Sequence, residues 1–425
     1  MVTTDLKALH QSPLHEAHQR AGAKFAEFAG WSMPVQYQGI LQEHEAVRQR
    51  AGVFDLSHMG EFLFAGETAA RFLSWSVTND PVRLHRGQAQ YACICTPAGG
   101  VVDDIVIYRL PDPPATQPLP AWTRPLAAAG IAVPTHQDSE GRWAEGEPVY
   151  LVVVNAANRD KDARWWQALA LGKISLPLDD TLPGGDFRLG PWPLDVSDQV
   201  ANVAIQGPKA EQILRSVATI SVPWESLRYY WSSWGRVQDV PALVARTGYT
   251  GEDGFELYVD SSLVSFVWET LLAAGRPSGL VPAGLGARDT LRTEMRYALY
   301  GHELDESTTP LEAGLDWVVK YAKGPFVGRT ALVQQKRAGV PRQLVGLVME
   351  DRSIPRAENL VKAGGVVVGR TTSGGFSPSL AKGVALAYVP VAYAPVGTFL
   401  SVEIRQQDHP ARVAKTPLVT PHIHH

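Results

Sequence analysis

Short apolar runs alternate with amphipathic ones along the whole chain, and no segment recurs at a fixed period. This pattern excludes a solenoid or a propeller and leaves strands interleaved with helices. At 425 residues the chain is too long for one ordinary core, so two or three domains are expected. Its 45% hydrophobic and 19% charged residues exclude a disordered or fibrous polymer. A formal net charge of -4 provides no global basic field for nucleic acid. No apolar run approaches the roughly 18 residues that a membrane helix needs. The N-terminus, acidic and without an apolar stretch, reads as neither a signal nor a transit peptide. The expectation is a soluble, cytoplasmic protein with no nucleic-acid or membrane partner.

The periodicity predicts a helix over Glu43 to Arg50, capped by Gly52, and strands over Glu61 to Phe64 and Ala89 to Cys95. A turn at Gly99-Gly100 leads into a strand over Val101 to Tyr108. Val149 to Val154, apolar at every position, reads as a strand covered on both faces. Between Pro111 and Pro148, proline recurs too often for an inner strand or a continuous helix. That segment reads as a surface insertion, with a partner-binding arm as the functional alternative. Helical spacing returns at Lys209 to Val217 and at Val264 to Ala274, the latter packing through Val264, Phe266, Val267, Leu271 and Leu272. The last hundred residues (QLVGLVM, GGVVVGR, KGVALAYV, GTFLSVEIR) suit a small β-barrel or sandwich, with a boundary near residue 335.

Three segments could carry chemistry. In GGVVDDIVIY, adjacent residues on a strand face opposite ways, so one of Asp103 and Asp104 can face a cavity while the other faces solvent or a helix end. A cavity-facing carboxylate can hold an ammonium group or take a proton. The bland reading is that both cap the preceding turn. In RTGYTGEDGFELY, Gly248, Gly251 and Gly254 permit close backbone approach or a tight hairpin, and Tyr249 offers an aromatic face. Glu256 lies opposite Phe255 and Leu257, where it could bind a planar pair of donors or simply face water. In AGLGARDTLRTEMRYALYGHELDE, a helix starting near Ala287 carries Leu291, Met295 and Leu299 on one face. Arg288 sits in its first turn, where the helix dipole disfavours a cation, so it needs an anion: Asp289, Glu294 or a ligand. Arg292 and Glu294 could equally form an ordinary exposed face.

Other features are structural or excluded. Cys93 and Cys95 share one face of a strand with no second pair, so no metal site is expected. Ser57 and His58 are adjacent and face apart, and no nucleophile elbow, Walker loop or dinucleotide fingerprint is present.

The runs SPLHEAHQRAGAKFAEFAGWSMPVQY, EHEAVRQRAGVFDLSHMGEF, GGVVDDIVIY, VVNAANRDKD, IQGPKA, RTGYTGEDGFELY, GLGARDTLR, LYGHELDE, FVGRTAL and TSGGFSPSL occur in order. Together they resemble the aminomethyltransferase family, the T protein of the glycine cleavage system. The resemblance spans nearly the whole chain apart from the proline-rich insert at about 111–148. It implies an α+β fold, a three-domain ring with antiparallel sheets flanked by helices and a C-terminal β-barrel or jelly-roll-like domain. The implied domains are 1–60 with about 195–300, about 61–194 with 301–335, and 336–425. It implies transfer of the methylene carbon of an H-protein lipoyl-bound aminomethyl group to tetrahydrofolate, with release of ammonia, and functional association with the P and L proteins. On this resemblance the key acid is Asp104, the pterin-reading carboxylate Glu256 and the motif arginine Arg288. Tyr91, Tyr108, Tyr249, Met59, Leu63, Val106 and Tyr230 would line the folate channel. A related iron–sulfur maturation protein carries a K-G-C-Y-x-G-Q-E signature where this chain reads LYGHELDE. A folate-dependent demethylase of a small compound and a non-catalytic folate-binding protein are the alternatives; the LYGHELDE and GYTGEDGFE runs favour the transferase, and Asp104 argues against a non-catalytic protein. One departure is the tail, KTPLVTPHIHH, where some members place a folate-contacting tyrosine and this chain has Ile423 or a neighbouring histidine.

Overall fold

A computed structural model describes residues 9–114, 117–129, 147–182 and 192–424. Two large sheets, a small N-terminal sheet and a closed barrel make up the fold. The five-stranded sheet runs Ala89–Cys95, Val101–Arg109, Val149–Val154, Gly60–Ala65, Leu194–Asp195. Val149–Val154 is its central strand, paired antiparallel on both sides, which accounts for its unbroken apolar run. The seven-stranded sheet runs Ala218–Ile220, Ser232–Val237, Val240–Ala245, Gly254–Asp260, Val200–Gln206, Ala51–Asp55, Leu280–Pro282. Its Ala51–Asp55 and Leu280–Pro282 pairing is parallel, as is that of His10–Gln11 with Trp31–Gln36 in the small sheet; the other pairings are antiparallel among the described residues. Six strands between Arg342 and Ala414 close the barrel, as the strand-rich C-terminal segments predict.

Each large sheet is apolar on both faces, and the two faces have different partners. Phe62, Phe64, Ile105, Ile107 and Val152 pack with Trp166, Leu73 and Phe72 of the helices Arg159–Ala170 and Glu67–Ser76. On the other sheet, Val203, Ile205, Phe255 and Leu257 pack with Val264, Val267, Trp268 and Leu271. The opposite faces meet each other, with Leu63, Tyr108, Leu151 and Val153 against Val200, Trp234, Leu243, Ala245 and Tyr258. Period-two alternation therefore aims every second residue of both sheets into one shared interior. No helix among the described residues is long and apolar enough to cross a membrane.

Several local expectations are corrected. The helix at Ile40–Gln49 ends at Arg50, and Gly52 belongs to the following strand rather than to a cap. A Cβ at Gly52 would lie 2.5 Å from Val47 Cγ2, so close helix–strand packing is what requires glycine there. The helix at Val264–Gly275 buries Val264, Val267 and Leu271, but Phe266 is 54% exposed. The arginine helix is Leu285–Met295, so Gly286 lies inside it and Leu299 beyond it.

The largest correction concerns the insertion. Residues 130–146 lie outside the described residues, but Ala121–Thr123 and Arg124–Ala128 form short helices that enter the core. Trp122 and Leu126 are fully buried between the two sheets' shared faces, and Trp122 lies 5.9 Å from the ring of Trp234. Asp260 fixes this turn by accepting the N–H groups of Ala121 and Trp122, each at 2.9 Å. Proline density correctly excluded a strand and a long helix, but it said nothing about the buried indole between the prolines.

Candidate active site

Asp103 and Asp104 separate as alternation requires. Asp103 turns to the helix side with Ile105 and Ile107, fully buried, and accepts Asn155 N at 3.1 Å, Asn155 Nδ2 at 2.8 Å and Asn158 Nδ2. Asp104 turns into the shared interior with Val106 and Tyr108. Its Oδ2 accepts the Tyr91 hydroxyl at 2.8 Å and its Oδ1 accepts Asn155 Nδ2 at 2.9 Å. Neither aspartate caps the Gly99-Gly100 turn, which is closed by Thr96. Burial and, after it, the Asp103 charge across the strand push Asp104 up to about 7, against the pull of its two hydrogen bonds. A carboxyl that is half ionised near neutrality can both accept and return a proton.

Glu256 faces the same interior from the seven-stranded sheet. It is half-buried, not freely exposed, and its Oε2 accepts the hydroxyls of Thr247 and, at 3.3 Å, Tyr108. Among the described residues no donor reaches Oε1. Tyr108 is four residues from Asp104, about 13 Å along an extended strand. The two carboxylates thus face the interior from the two sheets, Asp104 and Glu256 near opposite ends of the Asp104–Tyr108 stretch, and Tyr108, its ring sealed, meets Glu256 through its hydroxyl.

Arg288 resolves the question raised by its place at a helix start. Asp289 is bonded to Arg292 at 2.7 Å and Glu294 to Arg48 at 2.8 Å, so neither neutralises Arg288. Among the described residues its side chain has no hydrogen bond or ion pair, and its guanidinium lies 4.7 Å from the centre of the Tyr249 ring. Burial lowers its pKa, while the fields of Tyr249 and Glu256 oppose the shift. The same charge helps burial hold the neighbouring His58 down to about 4, so that imidazole is neutral. Arg292 and Glu294 are themselves buried in ion pairs, which excludes the ordinary exposed face that the sequence left open for them.

The remaining wall residues gather here with one qualification. Tyr91 donates to Asp104 at 2.8 Å, and the charge of Asp104 acts on Tyr249 and Tyr230 as well, so these rings lie near that carboxylate. Tyr230 has φ of +62°, a conformation costly for a tyrosine, held by Tyr230 N to Arg246 O and Ala89 N to Tyr230 O. Met59 and Val106 pack half-buried at the edge of the interior cluster; Leu63 is fully buried behind them. The glycines of the 246–258 run serve packing: a Cβ at Gly248 would meet Gln206, and one at Gly251 would meet Met295.

Sequence reasoning passed over Asn155, Thr247, Tyr229 and Tyr297. Tyr297 stacks on Tyr249 at 5.6 Å, and Tyr229 shares a hydrogen bond with Tyr297. Asn155 ends the all-apolar strand Val149–Val154, and a lone amide after such a run is the signal that could have marked it. The tail also has a defined place. His422 N donates to Gly251 O at 2.7 Å, Asp253 N donates to His422 O at 3.0 Å, and the His422 ring meets Glu252.

Comparison with known proteins places the whole chain in one family. The model of the GCVT N-terminal domain matches residues 14–114 and 143–323, breaking across the insertion, and that of the glycine cleavage T-protein C-terminal barrel domain matches 342–419. Aminomethyltransferase of Desulfitobacterium hafniense is 43% identical over 405 residues, covering 95% of this chain and 96% of its own. That of Symbiobacterium thermophilum is 43% identical over 421 residues, covering 98% and 99%. The crystal structure of glycine cleavage system aminomethyltransferase T from Bartonella henselae superposes with a TM-score of 0.79 at 30% identity, covering 98% of this chain and 100% of that one. Matched in sequence and fold from end to end, this chain belongs to the aminomethyltransferase family, the T proteins of glycine cleavage.

Proposed function

We propose that this chain is a tetrahydrofolate-dependent aminomethyltransferase that works through Asp104, Glu256 and Arg288. The observation that carries the residue assignment is that two carboxylates, Asp104 and Glu256, face one interior from the two large sheets, with the Arg288 guanidinium unpaired among the described residues and within reach of the Glu256 charge. In the reaction, the carbon–sulfur and carbon–nitrogen bonds of the lipoyl-bound aminomethyl group break as the methylene carbon bonds to two folate nitrogens. The two protons those nitrogens lose end on the departing ammonia and on the lipoyl sulfur. Asp104, near its midpoint at neutral pH, accepts one and returns it. Its ionised form also stabilises positive charge on the carbon in transit, in an interior where such charge is poorly screened.

Tetrahydrofolate supplies the accepting nitrogens as co-substrate, and the side chains present fit it. Glu256 Oε1 is open to a planar pair of N–H donors such as a pterin edge offers. Arg288 is open to an anion or a carbonyl. Tyr91, Tyr230, Tyr249 and the apolar Met59 and Val106 suit flat aromatic rings, while Tyr108 and Leu63 support the wall from behind. The partner is the lipoylated H protein of the glycine cleavage system; association with the P and L proteins in the cytoplasm extends the same reading. In that reading the chain divides into the three units given above, with the active site between the first two.

The test is a reconstituted assay. Supplied with tetrahydrofolate and lipoylated, aminomethylated H protein, the chain should form 5,10-methylenetetrahydrofolate and ammonia in equal amounts. Formation of neither would reject the reading. Methyl transfer from a small sulfonium or amine at a higher rate would favour a demethylase.

A further inference from the structure

Behind Asp104, on the helix side of the same strand, lies a carboxyl that the transfer reaction does not touch. Asp162, in the helix Arg159–Ala170, is fully buried, and neither of its oxygens meets an N–H or hydroxyl donor among the described residues. The group it faces is the carboxylate of Asp103, near enough for a proton on one carboxyl to bridge to the other. Two carboxyl groups bond in this way only when one carries a proton. Asp103 already accepts from Asn155 and Asn158, which favours the charge there and the proton on Asp162. The nearby cation is occupied elsewhere: Lys161 Nζ donates to Val102 O and to the Tyr300 hydroxyl, both at 2.6 Å, and lies 3.9 Å from Glu306. The other ionisable neighbours are Tyr91 and Cys93 on the adjoining strand and Tyr300, Asp305 and Glu306 on the facing loop.

We propose that Asp162 is a positioning residue for the transfer site: by donating a hydrogen bond to Asp103 it keeps that carboxylate charged and fixed on Asn155, and so sets the protonation state of Asp104 across the strand. This rests on the reading of Asp104 as the reacting carboxylate. Asn155 Nδ2 is the physical link, donating at 2.8 Å to Asp103 and at 2.9 Å to Asp104. The electrostatics run the same way. Burial, then the Asp103 charge, raises Asp162 well above the carboxylate range, so it stays neutral while Asp103 and Asp104 titrate. Removing the donor makes Asp103 take up the proton itself. Asp104 then loses its negative neighbour and titrates lower.

Three measurements test this. Infrared difference spectra near pH 9, where Asp104 is ionised, should show a buried protonated-carboxyl band in the parent that Asp162→Asn lacks, beside the band of the equally buried Glu61, which stays; parent and variant with the same carboxyl bands overturn the proposal, and this arm does not need a folded truncation of the side chain. Carboxyl-carbon NMR titration, with Asp104→Asn assigning the resonance, should move the Asp104 midpoint down by about one pH unit in Asp162→Ala and by less than about a third of that in Asp162→Asn, which still donates. A folded Asp162→Ala that keeps the parental midpoint overturns the proposal. The acid limb of turnover should shift with the NMR midpoint. If the NMR shift appears without it, the carboxyl coupling stands and the catalytic role of Asp104 falls.

Discussion

Two carboxyls on neighbouring parts of the molecule, Glu294 and Asp104, have been prepared in opposite ways. Glu294, where the arginine helix meets the barrel, is opposed by burial yet held down to about 2 by hydrogen bonding and charge from His44, by the Ser377 hydroxyl and by Arg48. Asp104 is half-buried, with a tyrosine hydroxyl, an amide and a like charge for neighbours, and stands at about 7. Desolvation acts on both. What separates them is the sign of the nearest charge and the number of donors. The nearby cations divide in the same way: Arg292 is spent on Glu303 and Asp289, while Arg288 is left open. The barrel junction satisfies its charges internally and so holds two parts of the chain together. The site between the sheets leaves its charges partly unsatisfied, available to something that binds.

Replacing Asp104 by Asn breaks the comparison most directly. Turnover with aminomethylated H protein should fall about 10²–10⁴-fold, as for loss of a positioned acid–base group; unchanged turnover would remove Asp104 from the reaction. The same variant should gain stability at alkaline pH. An acid raised in the folded state binds a proton that the unfolded chain has released, so parental stability falls as pH rises from about 4 to about 7 and stays reduced above. Asp104→Asn should therefore melt above the parent at pH 8 and with it at pH 4. Activity and stability moving in opposite directions is the mark of a carboxyl held for function.

Arg48→Met is the complementary break. It strands Glu294 and Glu252, both buried, and should cost about 3–5 kcal/mol in denaturant unfolding at neutral pH. Glu294 is depressed in the folded state, so its contribution is complete above its ordinary value of 4.5 and is lost as pH falls toward 2. In Arg48→Met the acid transition should move to higher pH. A loss of less than about 1 kcal/mol would mean that the junction's charges are not what joins it.

Trp122 sets a scale free of charge. Trp122→Ala should destabilise by about 3–5 kcal/mol, the cost of emptying a large buried site; a loss below about 1 kcal/mol would return this segment to the surface. Its burial was not legible in the sequence, because proline content reports on local backbone geometry and the indole is buried by strands from two distant parts of the chain. The exposed face left open for Arg292 and Glu294 fails for the same reason: their partners Glu303, Arg48 and Ser377 come from other elements. Strands were read well where the cause was local. Ala89–Cys95 and Val149–Val154 have the predicted bounds, and period-two alternation alone placed Asp103 and Asp104 on opposite faces. Alternation could not say which face held the cavity, since that depends on which sheet packs against which helix.

Glu256 should behave like neither extreme. Its Oε2 is held by Thr247 and Tyr108 while Oε1 is open, so Glu256→Ala should leave the fold intact and weaken folate by about 2–3 kcal/mol. Equal affinity by calorimetry would separate this residue from the pterin.

The smallest effect is expected at the tail, where both kinds of region meet. His422 lies on Glu252, which Arg48 already holds, and its side chain is 67% exposed, so His422→Ala should cost at most about 1 kcal/mol. Its backbone bonds to Gly251 and Asp253 survive the substitution. Folate affinity should not change, because the ring is engaged by Glu252, while Asp104 and Glu256 are held by Tyr91, Asn155, Thr247 and Tyr108. A tenfold loss of affinity would instead make the tail part of the folate wall, and would mean that this chain has put a histidine to the use that other members give a tyrosine.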